Sequence, residues 1–281
     1  MPMVPASTPG QCATYGWSPI AAASSQSAIA AVLAGFVFAG IIVVLTVAAD
    51  GLKREAAQAL KLLFTAFFGL AVTSYLLAEM AGDQICPRAQ TTEVLAVSAL
   101  GTFAVVMITS LTWLVVAFKR HDHNVLAFLH SLMYISCIFI VFLLGTHSTS
   151  YVEAELPYSR SIVNTVLYIA SGLFLVAGAF YIWKVPKDRS KSSDVSITSD
   201  EAVNWCAWAA LIYLALTSLA IGVVESSPPQ MWNPYPTAWP IYLAAASSLV
   251  LPLGVVALAI RGLARTAPAR TAPTEAGDTS T

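Results

Sequence analysis

Residues 27–49 read SAIAAVLAGFVFAGIIVVLTVAA, an apolar run that contains no charged side chain. A helix of this length is about 35 Å long at 1.5 Å per residue, and the hydrocarbon core of a bilayer is about 30 Å thick. The run therefore has the length and the composition of a segment that crosses a membrane. It predicts a transmembrane helix.

Six further stretches of the 281-residue chain resemble this run, and they lie at 57–80, 94–118, 125–147, 161–183, 202–224 and 238–262. Over the whole chain, 57% of residues are hydrophobic and 10% are charged, which is far from the average of soluble domains. Barrel-type alternation is absent, and in lipid a helix satisfies every backbone amide within its own segment. The sequence therefore predicts an all-α polytopic membrane protein, a bundle of seven transmembrane helices over 27–262.

The basic residues fall mostly on one side of the predicted helices. Of the 14 Lys and Arg residues, only Arg88 and Arg160 fall on the other side. Because cytoplasmic loops carry such an excess, we predict an N-out/C-in orientation in a bacterial-type inner (plasma) membrane. Residues 1–26 then form an extracellular tail, and residues 263–281 form a disordered cytoplasmic tail.

Acidic residues gather on the predicted outer side. Three of them, Glu79, Glu153 and Glu225, stand with His147 near the outer ends of the second, fourth and sixth helices. Carboxylates with one imidazole suit a divalent cation or a cationic solute, so these four residues form a candidate outer-face cluster. The alternative is that each residue marks the place where its helix meets water. Their spacing matches no metal-ligand motif, and no metal site is predicted.

Two polar residues are candidates on the predicted inner side. Lys61 and His130 each lie about five residues into their helices, at a similar depth. Both positions can be explained without a functional role, since a lysine can extend to the headgroups and a histidine can form a hydrogen bond with a neighbouring hydroxyl. Hydroxyl residues such as Ser74, Thr109 and Tyr213 also occur inside the spans. They would line a polar cavity or join helices by hydrogen bonds.

The four cysteines divide by compartment. Cys12 in the tail and Cys86 between the second and third helices share the oxidising side, and we predict a disulfide bond between them. Cys137 and Cys206 lie within predicted spans at different depths, so we interpret them as packing residues.

The sequence lacks the residues that several seven-helix classes need. A retinal protein needs a Schiff-base lysine in its last helix, but the last lysine here is Lys191. Two haem-ligating imidazoles must share one depth, whereas His130 and His147 lie far apart on one predicted helix. We identify no family, no catalytic residues and no cofactor.

The leading functional interpretation is a non-enzymatic binding, sensor or accessory protein with an acidic outer face. Its expected partners are the lipid bilayer and a protein or small ligand at that face. The alternative is a small-solute or ion transporter that uses an outer acidic vestibule. The net charge of −1 and the shortness of the basic runs argue against a nucleic-acid partner.

Overall fold

The computed structural model describes residues 18–47, 54–83, 85–117, 123–155, 172, 195–228, 232 and 238–263. These ranges contain six helices: α1 (Pro19–Val47), α2 (Arg54–Met80), α3 (Cys86–Ala117), α4 (His123–Glu155), α5 (Val195–Ser226) and α6 (Ala238–Leu263). All six are long and apolar enough to cross a membrane, which supports a multi-pass membrane protein. The helix predicted at 161–183 lies outside the described residues, apart from the helical Gly172.

The first helix begins earlier than the sequence pattern predicts. It starts at Pro19 rather than at residue 27, so the last part of the predicted 1–26 tail is helical. Ser18 precedes the helix, and its hydroxyl accepts a hydrogen bond from the Ala21 amide at 3.4 Å. A serine cap followed by proline at the first helical position is a favourable helix start, which explains the difference.

Other helices also extend beyond their predicted ends. Helix α3 starts at Cys86 instead of residue 94, and α4 continues to Glu155 instead of ending at residue 147. These extensions place Glu93 and Glu153 inside helices rather than in loops. A hydropathy pattern marks the apolar part of a helix, whereas the helix itself continues through polar residues.

Helix α3 is the central element of the described bundle. It contacts α1, α2, α4, α5 and α6, and its apolar window is the most buried of the six. Around it the neighbouring pairs are α1 with α2, α2 with α5, α5 with α6, and α6 with α4. Among the described helices, α4 therefore packs mainly against α3 and α6.

Contacts along α3 define the directions of its neighbours. Helix α4 runs antiparallel to α3, as shown by Thr91 with Tyr151, Gly101 with Ile140, and Thr109 with Met133. Helix α5 is also antiparallel to α3, as shown by Arg88 with Glu225 and Ser98 with Tyr213. The helices α4 and α5 consequently run parallel and end at the same end of the bundle. We call it the acidic end because it carries Glu79, Asp83 and Glu225.

The interior at mid-depth is tightly packed. A Cβ atom built on Gly69 of α2 would lie only 2.1 Å from Cδ1 of Phe103 on α3, so this glycine allows the two helices to approach closely. Phe103 is 0% exposed. On the outside, large apolar side chains such as Phe36, Trp205 and Leu219 are more than half exposed, as expected for a surface in contact with lipid.

Hydroxyl groups join several helices. Ser27 of α1 and Ser74 of α2 each donate a hydrogen bond to the backbone carbonyl of the other, at 2.8 and 3.0 Å. The hydroxyl oxygens of Tyr213 and Ser98 lie 2.6 Å apart. At these positions the hydroxyls serve as interhelical links, the second of the two roles that the sequence left open.

Candidate functional site

The best-defined polar group of the acidic end centres on Arg88, near the start of α3. Its Nη2 and Nε atoms donate to the two carboxylate oxygens of Asp83, at 2.7 and 2.8 Å. Its Nη1 atom donates to the backbone carbonyl of Glu225 at the end of α5, at 3.1 Å. Such forked, charge-assisted bonds are geometrically specific. Arg88 thus ties the α2–α3 connection to the last turn of α5.

Two further carboxylates lie beside this fork. Glu79 is exposed at the end of α2, and it accepts a hydrogen bond from the Tyr75 hydroxyl at 2.5 Å. Glu225 is partly buried and interacts electrostatically with Glu79, Asp83 and Arg88. We call these four charged residues the end cluster. With three carboxylates and one guanidinium, it favours a cation over an anion.

A second polar group lies between α3 and α4. Nε2 of His147 is 3.9 Å from Oε1 of Glu93, and the residue Glu93 is only 4% exposed. The His147 side chain is partly exposed, yet its Nε2 atom is buried and forms no hydrogen bond. An ionisable pair inside membrane-spanning segments is costly and is a functional candidate for that reason.

Two neighbouring hydrogen bonds hold this pair in place. Tyr151, one turn after His147 on the same face of α4, has its hydroxyl 2.7 Å from the Thr91 hydroxyl of α3. The next residue after His147, Ser148, has its hydroxyl 3.2 Å from that of Ser248 on α6. The imidazole therefore sits between a link to α3 and a link to α6.

The structure divides three of the four predicted outer residues between these two groups. It brings Glu79 and Glu225 together in the end cluster, and it places His147 beside Glu93. Glu153 belongs to α4, but its side chain lies outside the described residues. Glu93 was not among the predicted site residues because it was assigned to a loop. Extending the third helix upstream through the helix-compatible residues before 94 would have revealed it.

The structure describes only some of the remaining predicted residues. On α2, Lys61 is exposed, and on α4 the side chain of His130 lies outside the described residues. Cys86 is disulfide-bonded, but its predicted partner Cys12 is outside the described residues, so the pairing stays a prediction.

No group of three or more metal-ligating His, Cys, Asp or Glu side chains occurs in the part of the chain that the structure describes. Comparison of the chain with protein-family models, with curated proteins and with solved structures gives no match. The evidence for function therefore comes from two arrangements of side chains, the end cluster and the Glu93–His147 pair.

Proposed function

We propose that this chain is a non-enzymatic membrane protein that binds a cationic ligand or a basic segment of a partner protein at its acidic end. The observation that supports this role is the end cluster. The Arg88 fork uses the guanidinium to hold Asp83 and the end of α5, while Glu79 stays exposed beside Glu225. A cationic group that approaches this face meets carboxylates whose backbones are already positioned, which lowers the cost of ordering on binding.

The packed middle of the described bundle favours binding over transport. Transporters commonly place ionisable residues or broken helices near the centre of the membrane. Here the described α2–α3 interface at mid-depth is filled by Phe103 against Gly69, and α6 continues through Pro252 without interruption. The charged residues nearest to the middle, Lys61 and Glu93, lie about two turns from helix ends.

A seventh crossing at 161–183 is part of the same proposal. Helix α4 ends at the acidic end with Glu155, whereas α5 starts at the opposite end with Val195. Residues 156–194 must therefore connect opposite ends of the bundle. In lipid, a helix makes this connection while satisfying its own backbone, and 161–183 has the required apolar length.

The excess of basic residues in the other connections supports an extracellular acidic end in a bacterial-type inner membrane. In this orientation Cys86 faces the oxidising side, where Cys12 of the tail would be its partner.

Native mass spectrometry of gently solubilised protein tests the binding role. We expect a co-purifying ligand or subunit on the wild type, strongly reduced in the double variant Glu79→Gln/Glu225→Gln. The matched control is Glu201→Gln, an exposed carboxylate near the opposite end, which should retain it. A bare wild-type monomer under all mild conditions contradicts the proposal.

Flux into proteoliposomes distinguishes the transporter alternative. The binding role predicts no solute or cation flux above that of empty liposomes, for the wild type and for Glu79→Ala alike. Flux that the wild type supports and Glu79→Ala abolishes would reverse the ranking of the two functions.

Reporter fusions test the crossing at 161–183. An alkaline phosphatase fused after Glu155 should be active outside the membrane, whereas fluorescent-protein fusions before Val195 and after Leu263 should fluoresce inside. Reporters on the same side at Glu155 and Val195 would rule out a single crossing between them.

A further inference from the structure

We infer that Glu93 and His147 form a proton-binding site, in which one proton on the imidazole joins α3 to α4 near the acidic end. This site is independent of the proposed ligand binding by the end cluster. Its two members come from helices that contact each other along their length, and neither belongs to the Arg88 fork.

The two groups lie close enough for a small movement to bring them into a charge-assisted bond. Such a bond from an imidazolium nitrogen to a carboxylate oxygen measures about 2.7–2.9 Å. The separation between His147 Nε2 and Glu93 Oε1 is 3.9 Å. When the neutral ring carries its hydrogen on Nδ1, Nε2 and the carboxylate oxygen are both acceptors and repel each other. Placing one proton on Nε2 turns this repulsion into attraction, and a side-chain movement of about 1 Å completes the bond.

Because the His147 Nε2 atom and the Glu93 side chain are buried, a proton on His147 has a large effect on the attraction between the two side chains. The His147 Nε2 atom is buried without a hydrogen-bond partner, and the Glu93 side chain is 6% exposed. Glu93 lies seven residues into α3, about 10 Å from the first residue of that helix. At such a position water screens the charges poorly, and the attraction between imidazolium and carboxylate is larger than at an exposed surface.

The imidazole is the more accessible member of the pair. The His147 side chain is 31% exposed, whereas that of Glu93 is 6% exposed. His147 also lies in the last third of α4, towards the acidic end.

The described titratable groups near His147 come from α3, α4 and α6. On α3, Glu93 faces it, and Arg88 is engaged by Asp83. Tyr151 on α4 is hydrogen-bonded to Thr91, and α6 contributes Tyr242 at this end, both phenols. An imidazole titrates between about pH 5 and 8, while guanidinium groups and phenols ordinarily do not.

The consequence is a proton-dependent link at the edge of the bundle. Among the described helices, α4 packs mainly against α3 and α6. The Thr91–Tyr151 and Ser148–Ser248 bonds that join it to them contain no group that ordinarily titrates near pH 7. Protonation of His147 adds a link that depends on pH.

A double-mutant cycle in lipid nanodiscs tests the site. Melting temperatures are measured for the wild type, Glu93→Gln, His147→Gln and the double variant, at pH 5.5 and at pH 8.5. We expect the two substitutions to be non-additive by about 3 °C or more at pH 5.5 and additive at pH 8.5. The control is Ser27→Ala, which removes a hydroxyl that links α1 to α2 and should have the same effect at both pH values.

Two results would overturn the inference. One is a coupling that is absent, or equal at both pH values. The other is stabilisation of the wild type by added ZnCl2 that EDTA reverses and either substitution abolishes, since the ligand would then be a metal ion.

A second measurement covers the case in which Glu93→Gln does not fold. The chain has four histidines, so the ring Cε1–H signals of ¹³C-histidine-labelled wild type can be followed by NMR. The signal that His147→Gln removes should move between pH 5 and 8. A His147 signal that stays constant over this range contradicts a proton-binding site.

Discussion

Replacing Gly69 by alanine perturbs a close contact between α2 and α3. The added Cβ would lie 2.1, 2.2 and 2.3 Å from Cδ1, Cγ and Cε1 of Phe103. Carbon atoms in van der Waals contact are about 3.5–4.0 Å apart, so the deficit is about 1.5 Å. The Phe103 ring is 0% exposed, so α2 and α3 must separate or the ring must change rotamer within the packed interior.

The expected cost follows from these distances. Overpacking a well-packed core typically costs about 1–3 kcal/mol, and a clash with a rigid ring belongs near the upper value. The better helix propensity of alanine offsets about 1 kcal/mol of this. We therefore expect a net loss of about 2 kcal/mol for Gly69→Ala. For a chain of this size, that corresponds to a melting temperature lower by about 4–8 °C.

The assay is thermal unfolding of purified protein in one detergent, followed by size-exclusion chromatography of the remaining folded fraction. Gly35→Ala is the matched control, because a Cβ at Gly35 has no atom within 4 Å and this glycine is exposed on α1. It should change the melting temperature by less than about 2 °C. Adding Phe103→Leu to Gly69→Ala should restore part of the loss. Equal melting temperatures for Gly69→Ala and Gly35→Ala would refute the close contact.

Two other substitutions test the polar links. Arg88→Lys should lower the melting temperature by several degrees, because an ammonium cannot bond both oxygens of Asp83 and the Glu225 carbonyl in one planar fork. An unchanged unfolding curve would contradict the fork. Tyr213→Phe removes the hydroxyl that bonds Ser98. Such bonds in membranes are worth about 0.6 kcal/mol, so we expect the melting temperature to fall by about 2 °C. A decrease above about 6 °C would show that this hydroxyl does more than join two helices.

Composition and hydropathy determine the helical, membrane-spanning character of this protein. Runs such as 27–49 are too long and too apolar for a soluble domain, and lipid leaves their backbones no alternative to a helix. The same pattern places the helix ends less well. Ser18 and Pro19 start α1 outside the apolar run, where hydropathy is uninformative and capping decides.

The candidate sites could be predicted only in part. Counting the predicted membrane crossings is enough to place Glu79 and Glu225 at the same end of the bundle. Their joining with Asp83 through Arg88 depends on how α2, α3 and α5 pack, and no local pattern expresses that packing. The sequence showed hydroxyls within the spans, but it could not tell a cavity from a link between helices.

What the amino-acid sequence alone determined is the length and apolar character of the segments, the helical form of those that the structure describes, and the uneven distribution of charge, because these depend on how each segment partitions between lipid and water. Only the tertiary structure distinguished Gly69, which lies against an aromatic ring, from Gly35, which faces open space. It alone also brought Glu93 to within 3.9 Å of His147, since the register between two antiparallel helices is a property of their packed faces.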